Sequence, residues 1–150
     1  MTSSASKATR AVRAAIETDT QHGAVVPALH LSSNYTFAGL NQPRQYDYTR
    51  SGNPTRDALG DALADLEGGA GAVVTASGMG ALTVLTQLLT PGDTIIAPHD
   101  CYGGTYRLFE QQSKKGLFDV EFVDQTDLGA LRTVCTKVKP TIILSESPSN

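Results

Sequence analysis

The first feature of this sequence with chemical potential is an apolar run that ends in a Ser-Gly turn. Residues 72–76 are apolar and β-branched, Ser77-Gly78-Met79 follows, and an apolar helical pattern begins at once. A strand that turns directly into a helix leaves free backbone N–H groups at the positive end of the helix dipole. A phosphate binds well at such a junction. Taken alone, the same three residues are also typical of a plain tight turn.

Tyr48 and Arg50 are a second candidate, an anion clamp. They are two residues apart in a segment that we do not expect to be helical, so both side chains should point to the same side. A guanidinium group forks onto phosphate, and a phenol beside it can add a hydrogen bond. The alternative is a solvated arginine next to a packed tyrosine.

Polar and aromatic residues also gather at 99–104. His99 and Asp100 suggest an acid/base or metal pair, but adjacent residues rarely converge on one ion and no third ligand lies at a suitable spacing. We therefore expect a loop histidine with a local hydrogen bond, and no metal. Tyr102 follows at a predicted helix start, before two glycines. It is either a half-buried packing residue or an aromatic plate that stacks on a planar ring.

The elements that must position these residues alternate in type. We predict strands over 72–76, 94–97, 118–123 and 141–144, separated by helices over 78–89, 102–114 and 127–138. This order favours an α/β fold, with a mostly parallel sheet and helices on both faces. Ligands of such sheets bind outside the carboxyl ends of the strands. The stretches 77–79, 99–104 and 145–150 should meet at that edge.

The upstream part reads as an extended arm. Residues 1–45 show weak periodicity apart from a short predicted helix over 8–16, and Pro27 excludes a central strand. Asn53 and Pro54 are typical of a helix start, and the glycines at 68 and 69 of its end. We predict an arm and clamp segment over 1–56. Residues 57–150 are then the N-terminal part of an α/β domain, incomplete at its C-terminus.

Composition narrows the function further. The net charge is −3 without a long basic block, which argues against nucleic acid as a partner. No apolar run is long enough to span a bilayer, and the first residues lack the apolar core of a signal peptide. Cys101 and Cys135 show no paired spacing, so we expect free, largely buried thiols and a cytoplasmic protein.

Six motifs together resemble one known family. The run at 46–56 resembles the YxRxxNPT signature of the Cys/Met-metabolism family of pyridoxal-phosphate (PLP) enzymes. Five more of its motifs follow in the family's order, at 66–69, 77–79, 91–93, 102–105 and 146–150. The resemblance covers nearly the whole chain. It implies the PLP-dependent transferase fold of type I and a homotetramer built as a dimer of dimers.

The resemblance also implies roles for five residues at the cofactor. Gly78 and Met79 give backbone N–H groups to the cofactor phosphate. Tyr48 and Arg50 reach the phosphate in the neighbouring subunit's site and so complete it. Tyr102 stacks on the pyridine ring and assists proton transfer, which makes it the catalytic candidate.

Three further positions match family residues around the ring and the substrate. Asn150 matches the asparagine on the side of the ring's 3-hydroxyl group. Asp47 and Arg107 match positions that face the substrate. Ser51 departs from the pattern, because some relatives carry an arginine there. The departure leaves an acetylated or phosphorylated homoserine open beside the succinylated one.

Other parts of the family's site do not match anything in the sequence. The Schiff-base lysine, the aspartate at the pyridine nitrogen and the arginine for the substrate carboxylate have no counterpart in context, and we expect them beyond residue 150. The sequence has only these lysines: Lys7, Lys114, Lys115, Lys137 and Lys139. We therefore expect the 150 residues alone to be inactive.

The activity that the resemblance implies is γ-replacement in methionine biosynthesis by transsulfuration. An activated homoserine ester, O-succinylhomoserine foremost, loses its γ-substituent, and L-cysteine adds through its thiol to give L-cystathionine. The alternatives within the family are a cystathionine or methionine γ-lyase and an O-acylhomoserine sulfhydrylase. An alternative of another class is a non-catalytic α/β module that binds a phosphorylated ligand at the 77–79 turn.

Overall fold

The computed structural model describes residues 5–148 and divides into two compact units, one ending at Val74 and the other beginning at Thr75. The arm and the first long helix belong to the first unit. The predicted division into an arm over 1–56 and an α/β domain over 57–150 stays a prediction.

The first unit contains two helices, α1 (Lys7–Val12) and α2 (Pro54–Glu67). Helix α1 is shorter than the predicted 8–16, because Ala15 and Glu17 adopt positive φ angles that a right-handed helix excludes. Arg10 of α1 forms an ion pair with Asp65 of α2, with 2.6 Å between Nη2 and Oδ1. The pair joins the start of the chain to the last turns of α2.

Helix α2 begins and ends where its sequence predicts. The Asn53 side chain accepts hydrogen bonds from the backbone N–H groups of the first turn, and Pro54 occupies the first helical position. Gly68 ends the helix with φ +71°, a left-handed conformation that glycine adopts without strain. Within this unit the leucine face is not a closed core, since Leu59 and Leu63 are about half exposed.

The arm between α1 and α2 contains no regular strand. It is held by two isolated antiparallel bridges, Asn34 to Tyr48 and Gly39 to Gln42. Several large apolar side chains of the arm are well exposed: Val25, Val26, Leu29, Leu31 and Leu40. The arm therefore buries little apolar surface of its own, as its sequence predicts.

The second unit alternates helices and strands. Its elements are α3 (Gly78–Thr86), β1 (Thr94–Pro98), α4 (Gly103–Lys114), β2 (Asp119–Val123), α5 (Leu128–Val138) and β3 (Ile142–Ile143). The three strands form one sheet in the order β2-β1-β3, and both pairings are parallel. The predicted α/β class with a parallel sheet is confirmed.

The central strand β1 carries the core. Ile95 and Ile96 point to opposite faces of the sheet and both are fully buried, so both faces of β1 are covered. On the face of Ile95, the ring of Phe109 from α4 meets Phe118 edge to face, with the centroids 6.2 Å apart. This core fixes α4 against the sheet and so sets the place of the helix start at Tyr102.

One predicted strand is wrong. Residues 72–76 are irregular among the described residues, and Val73 is 75% exposed. A strand exists only when a neighbour completes its hydrogen-bond ladder. Among the described residues, 72–76 form no ladder and no isolated bridge. The apolar, β-branched composition of 72–76 is therefore not sufficient to form a strand here.

The remaining boundaries differ from prediction by a few residues. Helix α3 stops at Thr86 instead of 89, and β3 spans two residues instead of the four at 141–144. No helix in the described range 5–148 is long and apolar enough to cross a bilayer.

Candidate functional site

The N-terminus of α3 presents two free backbone donors. Ser77 caps the helix, because its Oγ accepts a hydrogen bond from the Gly80 N–H at 3.0 Å. Thr75 steadies the turn by donating from Oγ1 to the Ser77 carbonyl at 2.8 Å. The N–H groups of Gly78 and Met79 have no acceptor among the described residues. Two such donors at a helix N-terminus suit an anion.

Tyr102 occupies the cap position of α4. The Tyr102 side chain makes no capping hydrogen bond to the first turn of α4. The backbone N–H of Tyr102 donates to Oε2 of Glu146 at 3.2 Å. The side chain of Tyr102 is 49% exposed, so one part of it is free for a ligand. The structure thus places the tyrosine where the sequence predicts, with a backbone contact that the sequence did not indicate.

Gly104 lets three groups approach one another closely. A methyl group at Gly104 would lie 2.5 Å from Cε1 of Tyr102 and 2.9 Å from Sδ of Met79. Real Cβ atoms do not approach other atoms this closely. Only glycine at position 104 therefore allows the Tyr102 ring and the Met79 sulfur to stay where they are. The two glycines after Tyr102 were the sequence signal for this contact.

A cavity of about 570 Å³ brings the two helix starts and the end of β3 together. It is lined by Ser77, Gly78, Met79, Ala81, Leu82, Tyr102, Thr105, Leu144, Ser145 and Glu146. The prediction that these turns meet at the carboxyl edge of the sheet is confirmed for 77–79, Tyr102 and 145–146. Asn150 lies outside the described residues.

His99 and Asp100 take no part in this cavity. Their side chains are about half exposed, and Nδ1 of His99 lies 3.9 Å from Oδ1 of Asp100, too far for a hydrogen bond. The predicted local hydrogen bond of His99 is not found among the described residues, and its backbone N–H donates instead to the Val123 carbonyl of β2 at 3.0 Å. The described residues contain no group of three or more side chains that could hold a metal ion.

Cys101 lies in the sequence between Asp100 and the cavity residue Tyr102. It is a buried free thiol, whereas the free thiol of Cys135 is only partly covered. Burial raises the pKa of the Cys101 thiol, and the nearby negative charge of Glu146 raises it further. Both effects favour the neutral thiol, which agrees with an uncharged, buried Cys101 side chain.

The clamp residues belong to the first unit. Cζ of Arg50 lies 5.0 Å from the centroid of the Tyr48 ring, a cation–π contact that puts both side chains on one side. The two side chains share a side for a different reason than predicted, because the segment is a turn and not extended. The N–H groups of Ser51 and Gly52 both donate to the Tyr48 carbonyl. The predicted pairing of the two side chains is confirmed.

The two candidate substrate residues have different surroundings. Oδ1 of Asp47 accepts the backbone N–H of Tyr48 at 2.6 Å, so the clamp turn orients this carboxylate. Arg107 is exposed on the first turns of α4, where a methyl group at Gly103 would lie 3.3 Å from its Nη1. Arg107 does not line the cavity, and its role stays a prediction.

Fold and sequence together define a class of protein. The chain belongs to the Cys/Met-metabolism family of PLP-dependent enzymes, whose family model matches residues 8–150. Its solved relatives have the type I fold of PLP-dependent enzymes, which agrees with the parallel sheet and covering helices described above.

Three relatives show which members of the family the chain resembles. Escherichia coli cystathionine γ-synthase is 56% identical over 96% of this chain. A crystal structure of cystathionine γ-synthase from Xanthomonas oryzae pv. oryzae is 52% identical over 99% of this chain, with a TM-score of 0.93. A cystathionine β-lyase from Lactococcus lactis is 39% identical over 95% of this chain. The chain spans 37%, 38% and 37% of the lengths of these proteins, respectively.

The cavity fits the cofactor of this family. PLP combines a phosphate with a planar pyridine ring. The free N–H groups of Gly78 and Met79 suit the phosphate. Gly104 allows the Tyr102 ring and the Met79 sulfur to pack directly against the start of α4, since an added Cβ would clash with both, and this contact holds the ring beside the cavity. The donor pair and the exposed aromatic face therefore match the two ends of PLP.

Proposed function

We propose that the protein carrying this sequence is a cystathionine γ-synthase. It replaces the γ-substituent of an activated homoserine ester, O-succinylhomoserine foremost, with the thiol of L-cysteine, and the product is L-cystathionine. The observation that carries the proposal is 56% identity over 96% of the chain to one such enzyme, against 39% to a cystathionine β-lyase. The activity belongs to methionine biosynthesis.

PLP supplies an electron sink for carbanions when it is bound. The residues of this chain hold and orient the reactants. The backbone N–H groups of Gly78 and Met79 bind the phosphate, and Ser77 holds their helix start in place. Tyr102 would offer its ring as a stacking face for the pyridine ring, and its phenol would assist proton transfer. Asp47, Arg107 and Asn150 are proposed contacts to the substrate and to the 3-hydroxyl side of the ring.

A second subunit completes the site in this proposal. Tyr48 and Arg50 act on the phosphate bound by a neighbouring subunit, within a homotetramer built from dimers. The described residues provide no carboxylate ion pair for the Arg50 guanidinium, so its charge is available to an anion. The well-exposed leucines of the arm, Leu29, Leu31 and Leu40, supply apolar surface that a partner would cover.

We also propose that these 150 residues alone do not turn over substrate. The family binds its cofactor through a lysine, and no lysine lines the cavity. Lys114 and Lys115 lie at the C-terminal end of α4, and Lys137 and Lys139 at that of α5. The cavity lies at the opposite end of α4, beside Tyr102.

The deciding experiment is an assay of the full-length protein with O-succinylhomoserine and L-cysteine. We expect cystathionine, together with a visible absorption band of bound PLP that borohydride removes. Release of cysteine and 2-oxobutyrate from cystathionine, without synthesis, would assign a γ-lyase. Release of homocysteine and pyruvate would assign a β-lyase. A colourless protein that takes up no PLP would favour the non-catalytic phosphate-binding module.

The acyl group is tested in the same assay. Ser51 stands where some relatives carry an arginine, so O-acetylhomoserine and O-phosphohomoserine are compared with the succinyl ester. With sulfide in place of cysteine, homocysteine formation from an acylhomoserine would identify a sulfhydrylase. Preference for the succinyl ester with cysteine is the expected result.

A further inference from the structure

We propose that Glu146 is a positioning residue, which holds Tyr102 in place through the backbone N–H of that tyrosine. The inference rests on the proposed PLP site in the cavity that both residues line. It gives Glu146 a role that is separate from contact with the cofactor or the substrate.

The contact joins two elements that are remote in sequence. Oε2 of Glu146 accepts the Tyr102 N–H at 3.2 Å, across 44 residues. Glu146 follows β3, and Tyr102 caps α4. The loop after the sheet is thereby tied to the helix start that carries the aromatic plate.

Helix α4 needs this acceptor because it lacks one of its own. In a capping box, a Glu or Gln at the third helical position reaches back to the N–H of the cap residue. In α4 the third position is Thr105, and no side-chain cap bond is formed. Glu146 supplies the missing carboxylate from another element, at the helix end where a negative charge is favoured.

Fixing the backbone of Tyr102 also fixes its ring. The ring lies so close to Gly104 that a methyl group there would be 2.5 Å from Cε1 and 2.9 Å from the Met79 sulfur. With the ring confined on that side, the remaining freedom of Tyr102 lies mainly in the backbone that Glu146 holds. Loss of the carboxylate acceptor should therefore let the ring shift relative to the donors at Gly78 and Met79.

The test compares acceptors with non-acceptors at position 146 in the full-length protein. Glu146→Gln keeps an oxygen for the Tyr102 N–H, whereas Glu146→Ala and Glu146→Leu remove it. Glu121→Ala is the control, because Glu121 is an exposed residue of β2 outside the cavity lining. The measurements are the dissociation constant of PLP from the apoprotein and the induced circular dichroism of bound PLP.

We expect both non-acceptor variants to bind PLP about tenfold more weakly, as loss of one hydrogen bond to a charged group implies. Their induced dichroism should change shape, because it reports how the ring sits beside its aromatic neighbour. Glu146→Gln should stay within about threefold of the wild type, since it retains the acceptor. The control should be unchanged. Two non-acceptor variants, Glu146→Ala and Glu146→Leu, are used so that the test remains valid if one of them does not fold.

A double-mutant cycle separates positioning from direct contact. If Glu146 acts through Tyr102, then Glu146→Ala adds no further loss of PLP affinity in a Tyr102→Ala background. Equal losses in both backgrounds would overturn the proposal.

Hydrogen exchange in the apoprotein gives a readout that needs no cofactor. The Tyr102 amide should exchange faster in the Ala and Leu variants and stay protected in the Gln variant. Unchanged exchange would overturn the contact itself. A wild-type protein that shows this protection pattern but binds no PLP would overturn the proposed function, and with it the role at the cofactor.

Discussion

The side-chain amide of Asn53 donates a hydrogen bond to the backbone carbonyl of His30 across 3.0 Å. The same nitrogen lies 2.8 Å from Oγ1 of Thr49 and 3.2 Å from the hydroxyl of Tyr35, while Oδ1 caps α2. Asn53 is 8% exposed. One buried side chain therefore ties the arm, the clamp turn and the helix together.

Replacing Asn53 should loosen the clamp segment. Asn53→Asp keeps the cap acceptor but replaces the amide donor with a carboxylate oxygen. The Thr49 and Tyr35 hydroxyls can turn to donate to this oxygen, whereas the His30 carbonyl cannot. We expect the free energy of unfolding of the full-length apoprotein to fall by about 2 kcal/mol, because the bond to the His30 carbonyl is lost and a charge is buried. Urea unfolding followed by circular dichroism measures this. Asn41→Asp, at an exposed position of the arm, is the control and should change little.

Gly104→Ala should weaken PLP binding more than Gly103→Ala. The added methyl group at 104 would meet the Tyr102 ring at 2.5 Å, whereas at 103 it would meet only the mobile end of Arg107 at 3.3 Å. We expect a loss of about tenfold or more at 104, since overpacking costs roughly 1–3 kcal/mol, and little change at 103. Titration of both apoproteins with PLP measures the two constants. Similar dissociation constants of PLP for the two variants would show that PLP binding does not depend on the present position of the Tyr102 ring.

Asp93 should make the second unit sensitive to acid. The Thr141 hydroxyl donates to its carboxylate at 2.6 Å and Thr90 donates twice, and these bonds lower the Asp93 pKa below its ordinary value. A lowered pKa in the folded state stabilises the fold above the ordinary pKa of aspartate, and this stability is lost as the pH falls through the folded value.

The variant Asp93→Asn tests this pH dependence by urea unfolding at several pH values. It should be less stable than the wild type at neutral pH, and the difference should shrink as the pH falls below about 4. Asp119→Asn, on the exposed side of β2, serves as the control. A difference between Asp93→Asn and the wild type that is independent of pH would contradict the role of the carboxylate.

Mixing two inactive variants tests whether Arg50 serves a neighbouring subunit. If it does, an Arg50→Ala chain assembled with a Tyr102→Ala chain forms one intact site and one doubly defective site. Random assembly in equal amounts should then restore about a quarter of the wild-type activity, because half of the dimers are mixed and each has one intact site. If Arg50 acts on its own subunit's site, no mixture regains activity. Each variant refolded alone is the control.

The sequence predicted the helix starts at residues 54, 78 and about 127, which depend on local hydrogen bonds. The caps at Asn53, Ser77 and Asp127 accept N–H groups two or three residues along the chain. Such bonds form within one turn, so residue type and position determine them. The alternation of helices and apolar strands likewise predicted the parallel sheet, and the ordered motifs predicted the family.

The tertiary structure decided what depends on residues far apart in the chain. A strand at 72–76 needs a partner ladder, which its composition cannot supply. The hydrogen bond from Tyr102 to Glu146 joins residues 44 positions apart. Those from the Asn53 amide to His30 and Tyr35 span 23 and 18 positions. All three exist because the fold brings the paired atoms to within 3.2 Å of each other.

The close contact at Gly104 shows both contributions, that of the sequence and that of the tertiary structure, within residues 102–104. The sequence determined that Tyr102 precedes two glycines at a helix start. Only the packing of α4 on the sheet decided that the second glycine must leave room for both the Tyr102 ring and the Met79 sulfur. Local interactions are set by residues close in the chain, whereas contacts of this kind are set by which surfaces the buried core brings together.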